Sequence, residues 1–88
     1  MVNINKYEII RKIETPDSSW TFGICMINKN ILLTGDAHGT IKQWRIEGNN
    51  LILISKKEKA HSGEINSLLN LGNGLIASCS DDHSIKIW

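Results

Sequence analysis

The sequence predicts an all-β fold built from repeated antiparallel sheets, and three observations indicate it. The last fourteen residues, Leu75–Trp88, align with Ile31–Trp44 at an offset of 44 residues. The similarity lies in short apolar runs that are separated by turn residues, as in strands joined by hairpins. No segment of ten or more residues carries a helical apolar period. Repeats of about 40–45 residues with this pattern are typical of a propeller or an array.

The composition limits the classes of protein to consider. The chain has 88 residues and a net charge of +1, so it is one small domain or part of a larger one, without a field that attracts nucleic acid. Cys25 and Cys79 fit no disulfide or metal spacing and indicate reduced thiols. The sequence shows neither a signal-peptide core nor an apolar run of membrane-spanning length. We therefore predict a cytoplasmic protein without a membrane partner, with the nucleus as the alternative compartment.

The strands are predicted from apolar, β-branched runs bounded by turn residues. They are Lys6–Glu14, Trp20–Ile27, Ile31–Gly35, Thr40–Ile46, Leu51–Lys57, Ile65–Leu71, Leu75–Cys79 and Ser84–Trp88. Four strands in a meander form one blade of a β-propeller. The predicted division is a leading outer strand of a neighbouring blade in residues 1–16, a first blade in 17–59, and a second blade without its outer strand in 60–88.

The second unit carries a combination of residues that resembles the WD-repeat (WD40) family. The matching residues are Ala60-His61, Ile65, Leu75–Ser78, Asp82 and Ser84–Trp88, and the first unit matches more loosely. The resemblance implies a partial, open β-propeller of antiparallel WD40 blades. It also implies a non-catalytic scaffold that binds protein or peptide partners without a cofactor. Because closed propellers use about 4–8 blades, the chain is expected to be a fragment that needs further blades or other copies to cover its open edges.

The family resemblance also implies a structural hydrogen-bond set within each blade. In the second unit its members are His61, Ser78, Asp82 and Trp88, and the first-unit positions hold Asp17, Thr34, His38 and Trp44. The acid and the imidazole have thus exchanged places in the first unit. One hypothesis is that Asp17 and His38 pair with reversed polarity. The alternative is that both are solvated turn residues.

Partner-binding candidates follow from the same resemblance, at the start of each inner strand and beside each turn aspartate. They are Trp20, Phe22, Ala37, Glu64, Asn66 and Asp81. Trp20 and Phe22 share one face of a strand, because side chains alternate along it. The two rings either anchor a partner, as hot-spot aromatics do, or fill the space between adjacent blades.

Other chemistry finds less support in the sequence. Lys56, Lys57 and Lys59 lack interleaved aromatics and fit a solvated edge strand better than a nucleic-acid site. The histidines and cysteines follow no zinc spacing, so no metal site is predicted. His61, Ser78 and Asp82 are hydrolase residue types, yet no nucleophile elbow accompanies them, and we predict no enzyme.

Two other functions remain open at the sequence level. The chain could be the substrate-recruiting part of a longer enzyme or signalling protein, which the sequence beyond Trp88 would reveal. It could also be a two-blade unit that self-assembles into a ring, which would appear as a defined oligomer.

Overall fold

Two antiparallel sheets make up the structure, a computed structural model that describes residues 12–16 and 19–88. The strands are β1 (Thr21–Asn28), β2 (Ile31–Asp36), β3 (Ile41–Glu47), β4 (Asn50–Lys57), β5 (Ile65–Gly72), β6 (Leu75–Ser80) and β7 (Ile85–Ile87). The first sheet has the order β1-β2-β3-β4 and the second β5-β6-β7, so each is a meander. The described residues contain no helix. The prediction of open, antiparallel all-β sheets, as in a partial propeller, is confirmed.

The sequence repeat is also a repeat of structure. β1 and β5 begin and end 44 residues apart, as do β2 and β6. The turn contacts repeat as well, since the backbone N–H of Ala37 donates to Trp20 O at 3.0 Å and that of Asp81 donates to Glu64 O at 3.0 Å. The two sheets are therefore copies of one supersecondary unit. The predicted leading strand, Lys6–Glu14, lies mainly outside the described residues, and residues 12–14 form no strand.

The main core lies between the two sheets. Leu33 and Ile41 from the first sheet pack with Ile65, Leu68 and Ile76 from the second, and Ala60 completes the cluster. Each isoleucine or leucine removed from water in this way stabilises the fold by roughly 1.5–3 kcal/mol. This interface fixes how the second sheet sits on the first.

Two glycines of the first sheet allow this close approach. A Cβ on Gly35 would lie 2.8 Å from the Cβ of Ile65, which is closer than two carbon atoms can pack. A Cβ on Gly23 would lie 3.3 Å from the backbone of Ser67. As a result β1 runs beside β5, and both strands start at the same end of the molecule.

A second apolar cluster covers part of the opposite face of the first sheet. It contains Leu32, Trp44 and Leu51, and Ile13 packs against it together with Ile46. Adjacent strand residues point to opposite faces, so Leu32 lies on the face opposite Leu33. The segment around Ile13 therefore rests on the outer side of the first sheet.

Candidate functional site

The turn between β6 and β7 is held by a chain of side-chain hydrogen bonds. His61 Nε2 lies 2.7 Å from Ser78 Oγ, and His61 Nδ1 lies 2.9 Å from Asp82 Oδ2. The indole N–H of Trp88 donates to Ser78 Oγ at 2.9 Å. With its proton on Nδ1, the His61 ring donates a hydrogen bond to Asp82 and accepts one from the Ser78 hydroxyl at Nε2. Both ring nitrogens then have a hydrogen-bond partner. The structure thus brings together the four residues that the resemblance implied for the second unit.

Asp82 is the acceptor at the centre of this turn. Its Oδ1 accepts from the Ser84 hydroxyl at 2.5 Å and from the Ser84 backbone N–H at 2.9 Å. Its Oδ2 also accepts from the backbone N–H of Ser62 at 3.1 Å. The Ser84 hydroxyl, followed by His61 and the two backbone donors, holds the pKa of Asp82 far below its ordinary value despite partial desolvation. The negatively charged carboxylate therefore holds the turn and the residues around His61 together through these hydrogen bonds.

The first unit keeps only part of this arrangement. The Trp44 indole N–H donates to Thr34 Oγ1 at 2.9 Å, and both side chains are buried. Asp17 lies outside the described residues, so its predicted pairing with His38 stays a prediction. His38 is exposed, and its backbone N–H donates to Asp36 Oδ1 at 2.9 Å.

Asp36 is the residue that the sequence reasoning missed. It is buried, and its Oδ1 accepts from the backbone N–H groups of His38 and of Thr40, the latter at 3.0 Å. The Lys42 ammonium lies 3.6 Å from its Oδ2. In the second unit this position holds Ser80, so the first turn carries its carboxylate two residues earlier than Asp82. The available sequence signal was a turn that an aspartate opens and a glycine closes, and Gly39 has a φ of +80° in the structure.

The first-unit candidates for partner binding form an exposed aromatic pair. The rings of Trp20 and Phe22 meet edge to face, with centroids 6.4 Å apart and planes at 74°. Trp20 is 74% exposed and Phe22 44% exposed. Ala37 is half-buried and anchors the Trp20 carbonyl through its backbone N–H. In the described chain neither ring is packed between the two sheets.

The second-unit candidates lie together at the equivalent strand start. The Asn66 side-chain amide donates to Asp81 Oδ1 at 2.6 Å, and both residues are exposed. Glu64 is half-buried and accepts the Asp81 backbone N–H at its carbonyl. Because β1 and β5 run side by side, the aromatic pair and this polar group lie at the same end of the molecule.

The remaining candidate residues are three lysines, the residue types that bind metals, and the two cysteines. Lys56, Lys57 and Lys59 are exposed, and Lys56 pairs with Glu58 at 3.0 Å. Among residues 12–16 and 19–88, no group of three His, Cys, Asp or Glu side chains could hold a metal ion. The same residues include no helix long and apolar enough to cross a membrane. Cys25 and Cys79 are free and half-buried, and burial raises the pKa of the Cys25 thiol.

Comparison with known families identifies the second unit. Residues 54–88 match the WD40 model, described as "WD domain, G-beta repeat". This segment is therefore similar to a WD40 repeat. The matched segment begins within β4 of the first sheet and continues through the whole second sheet. It therefore contributes residues to both sheets. The resemblance to the WD40 family is confirmed.

Two curated proteins are similar to parts of the chain. Protein CIA1 of Arabidopsis thaliana is 44% identical over 46 residues, which is 49% of this chain and 13% of that protein. Polyadenylation factor subunit 2 of Candida albicans (strain SC5314 / ATCC MYA-2876) is 36% identical over 58 residues, which is 65% of this chain and 10% of that protein. The matches span about a tenth of the length of either relative.

A solved structure is similar to the two sheets. The crystal structure of the computationally designed Ika4 protein matches with a TM-score of 0.57 and 29% sequence identity. The match covers 77% of this chain and 39% of that one. It supports the arrangement of the two sheets described above.

Proposed function

We propose that this chain is a non-catalytic WD40 scaffold segment that binds protein or peptide partners at the end where β1 and β5 begin. The observation that carries this proposal is the exposed pair of Trp20 and Phe22 at that end. Large apolar side chains grouped on a surface mark interaction sites, and tryptophan is prominent among binding hot spots.

The surroundings of the pair suit recognition by a rigid surface. Backbone hydrogen bonds fix the Trp20 and Glu64 carbonyls against the following turns, so the two strand starts are held in place. The Asn66–Asp81 hydrogen bond fixes a polar group at the same end of the molecule as the aromatic pair. An apolar anchor with a preorganised polar rim is the usual anatomy of a protein interface. The proposed partner therefore places an apolar side chain against the rings and polar groups against Asp81 and Asn66.

The buried hydrogen-bond set supports a structural role in place of catalysis. Ser78 has no exposed surface, and its oxygen accepts the Trp88 indole proton. A nucleophile must reach its substrate, and this hydroxyl is enclosed by the residues that bond it. His61, Ser78 and Asp82 therefore hold in place the turn that contains Asp81.

Partner capture with matched variants tests the proposal. The chain is tagged and expressed in cells, and bound proteins are quantified for the wild type, Trp20→Ala, Phe22→Ala and the control Ile54→Ala. Ile54 is also an exposed apolar residue, but it lies on the outermost strand β4. We expect Trp20→Ala to weaken a specific partner by about 30-fold, the loss of a typical hot spot of about 2 kcal/mol, while Ile54→Ala keeps it.

Folding must be verified for each variant by circular dichroism and thermal melting. Equal binding by Trp20→Ala and Ile54→Ala would contradict the proposed surface. A Trp20→Ala chain that simply unfolds would also count against it, because an exposed binding residue should be dispensable for folding.

A further inference from the structure

A polar cavity opens beside the buried hydrogen-bond set, between the two units. Its volume is about 430 Å³, which is within the range of sites that bind small ligands. The wall combines residues from the turn after β2, from the segment between β4 and β5, and from the last turn with β7. They are His38, Lys59, His61, Ser62, Asp82 and Lys86. Every lining side chain is polar, and two carry a positive charge, so the cavity suits a charged ligand.

The Lys86 ammonium is fixed at the wall of this cavity. Its Nζ donates to the carbonyl oxygen of Ala60 at 2.7 Å, and Ala60 is buried. An ammonium group has three N–H donors, and this bond takes one of them. Within residues 12–16 and 19–88, neither Lys59 nor Lys86 forms a salt bridge, because the nearby Glu58 carboxylate pairs with Lys56. Both cations can therefore pair with an anion from solution.

The carboxylate in the cavity wall is engaged by its own turn. Asp82 Oδ2 accepts from the His61 ring and from the backbone N–H of Ser62, and its Oδ1 accepts from Ser84. Two ammonium groups against one carboxylate leave the wall with a formal charge of +1 when both histidines are neutral. A cleft lined by one excess sign of charge raises the local concentration of the opposite ion.

The exchange of acid for imidazole in the first unit contributes to this charge balance. His38 occupies the position that Asp82 holds in the second unit, and its side chain is exposed at the cavity. A second carboxylate at this position would cancel the remaining positive charge. The imidazole instead offers a ring N–H as a hydrogen-bond donor. The exchange therefore makes the cavity selective for an anion.

The cavity and the exposed aromatic pair lie beside the same turn. The Ala37 backbone N–H donates to the Trp20 carbonyl, and His38 is the next residue in the chain. The Gly39 carbonyl accepts from the backbone N–H of His61 at 3.1 Å, which fastens this turn to the opposite wall of the cavity. The two walls are thus held together before a ligand arrives. A partner segment that covers this turn meets both the rings and the cavity.

We infer that the cavity binds an anionic side chain of the partner, which pairs with Lys59 and Lys86 and accepts from His38. The inference rests on the proposed function, because the same partner places an apolar side chain on Trp20 and Phe22. A carboxylate and a phosphate monoester share the required chemistry, since both accept charge-assisted hydrogen bonds from ammonium groups. The ligand is therefore an oxyanion carried by a peptide, and the experiment distinguishes its two sources.

Free anions test the cavity without a partner. The isotopically labelled 88-residue chain is titrated with inorganic phosphate, with acetate and, at matched ionic strength, with chloride, while NMR follows the backbone amides. We expect saturable shifts at His38 and Ser62 with phosphate or acetate, and none with chloride. Lys59→Met and Lys86→Met should each weaken binding at least about tenfold, since each removes a charge-assisted hydrogen bond. The control Lys57→Met, an exposed lysine outside this cavity, should bind as the wild type does.

The two lysine variants differ in what else they change. Lys86→Met also loses the bond to Ala60, so circular dichroism checks its fold, whereas Lys59 is exposed and Lys59→Met tests the cavity alone. Shifts that chloride reproduces would overturn the inference. Anion binding that is equally strong in Lys59→Met and in Lys57→Met would overturn it as well.

Partner capture then tests whether the bound anion belongs to the partner. At low salt, where screening is weak, Lys59→Met should lose the partner that depends on Trp20, and Lys57→Met should keep it. Phosphatase treatment of the lysate abolishes capture if the group is a phosphate and preserves it if the group is a carboxylate. A partner that Trp20→Ala loses and Lys59→Met retains overturns this inference and leaves the proposed function intact. A partner that Lys59→Met loses and Trp20→Ala retains supports the anion site and contradicts the aromatic surface.

Discussion

The side chain of Ile65 occupies the space in which Gly35 would carry a Cβ. Ile65 is fully buried, and a methyl group on Gly35 would lie 2.8 Å from its Cβ. The glycine thus sets the distance between the sheets, and the isoleucine fills the space that the glycine leaves. A core contact of this kind is sensitive to any added volume.

The first prediction is that Gly35→Ala destabilises the chain by about 1–3 kcal/mol, the usual cost of overpacking. Urea unfolding followed by tryptophan fluorescence measures it. The double variant Gly35→Ala with Ile65→Ala should lose less than the sum of the two single losses, because the second change makes room for the new methyl group. Strict additivity, or a Gly35→Ala chain as stable as the wild type, would contradict the close packing.

The second prediction concerns the bond between Trp44 and Thr34. Thr34→Val preserves shape but leaves the buried indole N–H without its acceptor, so we expect a loss of about 1–3 kcal/mol. Trp44→Phe in the same background removes the unpaired donor. A double-mutant cycle with urea denaturation should therefore show favourable coupling between the two residues. Independent effects of the two substitutions would argue against the bond.

The third prediction follows from the lowered pKa of Asp82. A carboxyl group whose pKa is lower in the folded state contributes its stability above its unfolded pKa of about 3.9 and loses it as the pH falls below that value. We expect Asp82→Asn to be less stable than the wild type at neutral pH and the difference to shrink below about pH 4. Ser84→Ala removes the largest cause of the shift, so its acid-induced loss of stability should begin near the same pH as in the wild type but be smaller and level off at a higher pH.

These pH profiles are measured by urea unfolding at a series of pH values. A stability difference between the wild type and Asp82→Asn that is constant from neutral to acidic pH would show that the charge of Asp82 does not stabilise the turn.

The fourth prediction separates the two roles of Asp36. Asp36→Asn keeps a side-chain oxygen that accepts from His38 and Thr40 but removes the charge beside Lys42. Asp36→Ala removes both. We expect the alanine variant to be the less stable by about 1 kcal/mol, the typical value of a capping hydrogen bond. Thermal unfolding measures the order, and equal melting temperatures for the two variants would mean that the turn hydrogen bonds contribute nothing.

Much of the fold could be predicted because it depends on local pattern. Apolar runs and turn residues define strands directly, and the predicted ends of Trp20–Ile27 and Leu75–Cys79 differ from β1 and β6 by one residue. The offset of 44 residues predicted that the two units would share one structure. The bonds among His61, Ser78 and Trp88 connect positions that the family pattern specifies.

What could not be predicted depends on contacts between units. Asp36 and Asp82 are both turn aspartates in the sequence. Only the folded structure shows that they occupy different positions in their turns and accept from different backbone N–H groups. The exposure of Trp20 depends on whether another sheet covers the start of β1, which the pattern of a single strand cannot reveal. The packing of Ile13 against Trp44 depends on a residue some thirty positions away in the chain, which strand periodicity does not detect.

The WD40 match starts inside β4, and this stagger has an evolutionary consequence. A genetic exchange that cuts at the edge of the repeat divides the first sheet, because it takes the last residues of its outermost strand along with the second sheet. The transplanted piece then carries residues 55–57, which pair with β3 of the first sheet. A duplicated segment with these bounds would therefore bring with it the strand residues that pair with the sheet before it.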